Sequence, residues 1–473
     1  MSKVLLIGVG PLPSPTQERV HATGLRLRAF VDALTIHGHQ TLLAEMLFSG
    51  VHTGHQPIHG WNIFAHRRLD SDGIKGGAQI AQWLKEFDPD AIIALTDVGA
   101  LAAVKSGFPG PLLVDFFGDP MAERQQLCAT HGNNETLAEQ WLTILPALLN
   151  ADHFSVCSAS QRLALIGQLG AAGRLNAETC ATQMVTIVPP MIPFAEPLVP
   201  KRRAYLEDRG VPADAKVIFS SGGYNTWVDE ETLFRGIEGA LQRDPNLHFV
   251  STGGAVPGHV TVIYDRFKER IGMSPVRERC HLLGWLPHDD MLDAMLGADV
   301  GVNCDVPSLE GELGCRNRLL GWLWGGLRVV TTVSSDPTRD LVEQGHVRAV
   351  PFGDAKALAD ALVDEAALGR RKDLTNLHAT LRERWNGAKE LAAICKWADA
   401  PTTAPDRKAT IVKNPLAQMQ QRFLDSADRN RGDQMVRRQA RATAQTLLGS
   451  RIIRLYGKWR PESMKLLRDL KDV

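Results

Sequence analysis

The chain has 473 residues, 44% of them hydrophobic and 22% charged, with 53 Lys/Arg against 53 Asp/Glu. That size and composition predict a soluble globular protein of roughly two to three domains and exclude a disordered chain. The neutral total conceals an asymmetry: from residue 401 onward sixteen Lys/Arg face seven Asp/Glu, so a tail of +9 follows a body of −9.

Seven cysteines lie scattered without a CxxC pair, which speaks for a reducing compartment and against a disulfide framework or zinc site. The opening MSKVLLIGVG is too short an apolar run for a signal peptide. No stretch approaches the roughly 18 apolar residues a spanning helix needs. A cytoplasmic protein is expected.

In the first half, short apolar runs alternate with helical periodicity. Strands are predicted at 5–10, 41–46, 91–97, 111–119, 153–159 and 184–190. Helices are predicted over 24–39, 80–87 and 137–151 and from Gln161. Continuous apolar strands separated by helices imply a parallel sheet covered on both faces. Prolines and charges crowd 189–212 without periodicity, which predicts a linker. The pattern then restarts, with strands at 216–223, 248–254, 280–285, 299–305, 328–332 and 347–352 and helices at 230–243, 290–298, 339–345 and 355–366. The stretch ELGCRNRLLGWLWGGLRVVTT (312–332) reads as a helix that opens with charge, buries Trp322 and Trp324, and stops at Gly325-Gly326 before a core strand.

The expected fold class is therefore α/β, with two Rossmann-like parallel-sheet domains facing a cleft and a basic helical C-terminal extension. Domain boundaries fall at 1–195, a linker at 196–214, a second domain at 215–370, a helix at 371–400 and the extension at 401–473. Within 446–459, Leu447, Leu448, Ile452, Leu455, Tyr456 and Trp459 can share one helix face beside Arg451, Arg454 and Lys458. That face suits an inner-membrane surface or the protein's own body, so localisation is cytoplasmic with a peripheral membrane alternative. Nucleic acid is not an expected partner.

Ligands of open parallel sheets bind at the carboxyl strand ends. Asp97 and Asp119 close two such strands and are candidate catalytic carboxylates. Gly222 and Gly223 end another, where glycine lets a phosphate approach backbone N–H groups, with Asn225 beside them. Gly24 and Arg26 open the first long helix, where free N–H groups favour anions. The first strand lacks the third glycine of a dinucleotide fingerprint, since Pro13 stands there, and no GxSxG, HExxH or P-loop occurs.

The segments HATGLRLRAFVDAL followed by HGH, VDFFGDPMAE, HFSVCSASQRLALIGQLGAAGRL, TIVPP, SSGGYNTWVDEETLFRGI, HLLGWLPHDDM and LGADVGVNCD carry a likeness by their order and spacing. Over about residues 3–400 the chain resembles GT-B glycosyltransferases, closest to the family 4 (group 1) bacterial type. The resemblance implies a nucleotide-sugar donor bound by the second domain, a glycan or lipid-linked acceptor bound by the first, and 371–400 crossing back to the first. It implies no cofactor and no metal. Glu310 or Glu312 would contact the donor, and Gly314, Arg316 and Arg318 would face its diphosphate.

Two features depart from the family pattern. Gly321 falls where a second acid is usual, and GGYNTW replaces the usual Arg and Lys after the first strand of the second domain. The expected function is a metal-independent, retaining glycosyltransferase of polysaccharide or other glycoconjugate synthesis. The alternatives are a nucleotide-sugar epimerase on the same fold and a catalytically silent scaffold recruited through its basic tail.

Overall fold

The computed structural model describes residues 1–15, 17–47, 63–192, 198, 204–256 and 260–407. The stretch 446–459 and the extension from 408 lie outside the described residues.

The first sheet holds β1 (Lys3–Val9), β2 (Gln40–Met46), β3 (Ile63–Leu69), β4 (Ala91–Leu95), β5 (Leu112–Phe116), β6 (His153–Val156) and β7 (Val185–Ile187). Their order is β3-β2-β1-β4-β5-β6-β7, and every pairing is parallel. The second sheet holds β8 (Lys216–Gly223), β9 (Leu247–Gly254), β10 (Cys280–Gly284), β11 (Val300–Asn303), β12 (Arg328–Thr332) and β13 (Arg348–Val350). Its order is β10-β9-β8-β11-β12-β13, again parallel throughout.

Burial explains the apolar runs. AIIAL and LLVDF are buried at every position, because helices cover both faces of the sheet and leave no wet side. Strands nearer the edges are wetter: in the edge strand β3, IFAHRRL alternates between partly buried and exposed positions until the buried Leu69. Its His66, Arg67 and Arg68 keep that edge charged, and they also hide it from a search for apolar runs.

Strand order reverses between β1 and β4 and again between β8 and β11. A crevice opens at each such switch, outside the carboxyl ends of the strands. Side chains that follow these ends fix the helix starts: Asp119 accepts from Met121 and Ala122 N–H, Ser158 from Gln161 N–H, and Asp229 from Thr232 N–H. Each cap satisfies donors that a helix cannot satisfy itself.

The return to the first sheet is not one helix, as the sequence suggests, but three: Leu374–Trp385, Gly387–Glu390 and Ala392–Asp399. Asn386 breaks the run. Its backbone is extended (ψ 118°), and its side chain accepts from Ala388 and Lys389 N–H. Beyond it, Leu391, Ile394, Cys395 and Ala398 bury among Val4, Leu6, Leu27 and Phe30 of the first core. Ala404 N–H then donates to Asp152 at 2.7 Å, and Asp406 pairs with the fully buried Arg174 at 2.7 Å.

Candidate active site between the strand ends

Two glycine pairs end β8 and β9 side by side, Gly222 opposite Gly253 and Gly223 opposite Gly254. Gly222 has φ +96° and Gly253 φ +89°. A Cβ on Gly253 would stand 2.2 Å from the Gly222 carbonyl oxygen, so only glycine lets these backbones meet. A Cβ on Gly222 would meet nothing nearer than Arg318 Nη2, at 3.4 Å. Gly222→Ala is therefore expected to lower unfolding free energy by about 1–2 kcal/mol through backbone strain alone, read from the urea midpoint.

The segment after β11 is two helices rather than one. Leu309–Leu313 is capped by Ser308, and Asn317–Trp324 follows a break at Gly314 to Arg316. Gly314 permits the break, since a Cβ there would lie 2.7 Å from the Glu310 carbonyl oxygen. The break separates the two arginines. Arg316 precedes the helix and turns inward. Its Nε donates to Asp305 at 2.7 Å, and its two Nη atoms donate to the two Glu310 oxygens at 3.0 and 2.7 Å. Its guanidinium also lies over the Trp227 ring at 5.1 Å. Burial alone would lower its pKa, but Asp305 and Glu310 outweigh that and hold it charged. Arg316, Asp305 and Glu310 are all buried, so this triad is framework. One Asp305 oxygen is buried without a partner among the described residues.

Arg318, the second residue of the helix, takes the other direction. Its one hydrogen bond among the described residues runs from Nη2 to the Gly223 carbonyl at 3.4 Å, and it makes no ion pair there. Burial lowers its pKa, yet a guanidinium stays charged at any ordinary pH. Asp305 and Glu310 oppose its charge from a distance, so the result is a cation at the β8/β11 switch that makes no ion pair with any described residue. It lines a pocket of about 10 Å³ with Ser220, Tyr224, Asn303 and Cys304. Asn225 lies close by in sequence and is partly buried, its Oδ1 enclosed and without a partner among the described residues. Glu312 is exposed. Trp322 and Trp324 are each 1% exposed, and Trp322 Nε1 donates to Ser221 Oγ at 3.1 Å. The tryptophan end of the segment is packing that keys the helix to β8.

In the first half the expected residues carry structural tasks. Asp119 caps the helix Pro120–His131 with one oxygen and accepts from Gln168 Nε2 at 2.8 Å with the other. Asp97 follows Thr96, whose φ of +70° is strained for a non-glycine, and it accepts from Gln140 Nε2 at 2.6 Å. Arg26 is 3% exposed and forks onto Asp115, with Nη2 to Oδ1 at 2.8 Å and Nε to Oδ2 at 3.1 Å. Its remaining donors reach the Pro189 and Val188 carbonyls at 2.9 Å. Gly24 admits the loop after β1, since a Cβ there would lie 2.1 Å from the Pro11 carbonyl oxygen. The Arg26 guanidinium is therefore committed to packing, while Gly24 allows the close approach of that loop.

The structure adds Glu123, the fourth residue of the helix capped by Asp119. A glutamate on a polar helix reads as solvated in the sequence. Here it is partly buried, and its carboxyl is pushed up to about 8 by burial first, then by Glu310, Asp97 and Asp119, against the opposing charge of Arg316. Gly118 makes room for it: φ is +98°, and a Cβ would stand 2.6 Å from Glu123 Oε1.

The two halves touch around this point. The loop after β1 reaches the loop after β10, with His288 N–H donating to the Gln17 carbonyl at 3.1 Å and Asp289 N–H to the Pro15 carbonyl at 3.2 Å. Asp336 accepts from Ser160 N–H at 2.8 Å and from its Oγ at 3.0 Å. Gln126 Nε2 donates to the Thr226 carbonyl at 3.1 Å.

Two parallel sheets meeting through their carboxyl strand ends, with the chain's last described helices returned to the first, define the GT-B glycosyltransferase fold, and this chain has it. It is similar to HepE from Anabaena in complex with UDP-glucose (TM-score 0.59, 17% identity, 84% of this chain and 100% of that one). It is also similar to sucrose-phosphate synthase from Thermosynechococcus elongatus (TM-score 0.54, 16% identity, 90% and 100%). A third similar structure is the UDP-forming alpha,alpha-trehalose-phosphate synthase from Burkholderia xenovorans in complex with glucose-6-phosphate (TM-score 0.55, 12% identity, 84% and 100%). In sequence it is 28% identical over 193 residues to the 2-deoxystreptamine N-acetyl-D-glucosaminyltransferase of Streptomyces fradiae, a match covering 38% of this chain and 42% of that protein. No protein-family model matches.

Proposed function

We propose that the protein is a glycosyltransferase that moves a sugar from a UDP-sugar to a glycan or other polyol hydroxyl, without a divalent metal and with retention. The observation that carries this reading is Arg318, a buried cation that makes no ion pair with any described residue, set at a topological switch beside paired glycine turns. Transfer releases a nucleoside diphosphate. Its developing charge needs donors already in place, and a guanidinium fork supplies them at fixed geometry. HepE, of the same fold, holds UDP-glucose, which supports uridine as the base.

Arg316 acts indirectly. It ties Glu310 and Asp305 into a rigid wall, so that the chain enters the helix with Arg318 aimed at the crevice. Glu310 has both oxygens on Arg316, which leaves the exposed Glu312 to meet sugar hydroxyls. Ligand pockets for molecules of this size enclose roughly 300–1,000 Å³, far above the 10 Å³ beside Arg318. On this reading the halves part to admit the donor and close to exclude water, which would otherwise hydrolyse it. The contacts of Gln17, Pro15 and Asp336 across the cleft are those that break.

Thermal shift against UDP, GDP, ADP, CMP and dTDP tests the reading. UDP is expected to raise the midpoint most, since ligand at a hundred times Kd stabilises by about 2.7 kcal/mol. No shift with any nucleotide would overturn it.

A further inference from the structure

Resting on that reading, we propose that Glu123 is the catalytic residue of the acceptor half: its carboxylate binds the attacking hydroxyl and takes its proton. The helix Pro120–His131 follows the carboxyl end of β5 and packs against the helix Leu309–Leu313 of the other half. Asp119, the carboxylate expected there from sequence, is committed to two N–H groups and Gln168. Asp97 is held by Gln140. The Glu123 N–H donates to the Asp119 carbonyl at 3.0 Å as part of the helix, but its carboxyl makes no hydrogen bond to a described residue, and the backbone beneath it is cleared by Gly118. The charged groups that act on it are Asp97 and Asp119 from its own half and Glu310 and Arg316 from the other. The single arginine among them is already shared by two carboxylates. Asp97 and Asp119 thus become the groups that tune Glu123.

The step balances without any further reagent. The acceptor O–H bond breaks and its proton passes to Glu123. The oxygen forms the new bond to the anomeric carbon, and the bond from that carbon to the diphosphate oxygen breaks with its electron pair leaving on UDP. The carboxylate acts on the acceptor's proton and not on the donor carbon, so the assignment holds for either stereochemical course.

A carboxyl raised from 4.5 to about 8 is mostly protonated at neutral pH. Only the ionised fraction can accept a proton, so kcat/KM should rise with pH and level off above about pH 8. Glu123→Gln should lower kcat by about 10²–10⁴-fold and lose the pH-dependent limb, while its UDP thermal shift stays that of the wild type. Asp97→Asn should move the limb to lower pH, because one repelling charge is gone.

Stability supplies a readout independent of turnover. The folded protein holds the Glu123 proton between about pH 4.5 and 8 while the unfolded chain has lost it, so this group makes unfolding easier as pH rises through that window. Glu123→Gln should flatten that slope without unfolding the protein. Unchanged kcat and an unchanged pH limb in Glu123→Gln would overturn the assignment. Loss of the UDP shift in the wild type would instead overturn the donor reading.

Discussion

Arg316→Ala is expected to lower the free energy of unfolding by about 3–5 kcal/mol, the cost of leaving a buried charge without its partner. The substitution removes one guanidinium and strands two carboxylates, Asp305 and Glu310, which are 0% and 4% exposed. The urea midpoint should fall with the slope unchanged. Arg316→Lys should recover only part of the loss, because an ammonium cannot span Asp305 and both Glu310 oxygens at once. Activity should fall in both variants as a consequence of the displaced segment. Glu312→Ala is the contrast: the residue is exposed, and its stability should stay within about 0.5 kcal/mol of wild type. Sequence reasoning groups these residues as donor ligands. The fold separates them into a wall and a surface.

Arg318→Ala should leave the fold intact and lower kcat by about 10²–10³-fold, the usual cost of losing one preorganised donor from a charge-stabilising site. No described carboxylate loses a hydrogen bond or ion pair when this arginine goes, so the stability term that dominates at Arg316 is absent. UDP should no longer raise the melting midpoint. Arg318→Lys should restore charge without the bidentate fork and give an intermediate rate. A variant with wild-type kcat and a wild-type UDP shift would remove Arg318 from the site.

The two-sheet architecture was legible because strands buried on both faces write themselves as uninterrupted apolar runs, such as AIIAL and LLVDF. β3 was not, because an edge strand alternates and carries charge. The helix Thr96–Lys105 was also hidden, since TDVGALAAVK is built of small residues with no strong polar face. The role of Asp119 had a readable signal: Asp followed by Pro120 is a helix start, which argues for a cap over a base. Glu123 had none, because its character comes from carboxylates that are distant in sequence and from a clearing at Gly118. The arginine pair was half legible. Spacing alone says that residues two apart do not face the same way on a helix, but only the break at Gly314 decides which one turns inward.

The return of the chain to the first sheet has a consequence for how the protein is made. Strand β1 leaves the ribosome long before the segment that covers it, since Val4, Leu6, Leu27 and Phe30 find part of their cover in Leu391, Ile394 and Cys395. Chains fold during synthesis at about 5–20 residues per second, so the first half waits roughly 20 seconds or more, by that rate, with an apolar groove uncovered. A nascent chain stalled before residue 386 should therefore be held by chaperones or aggregate, while one carrying 387–407 should close. The second half of the chain, on this view, acts as the escort of the first.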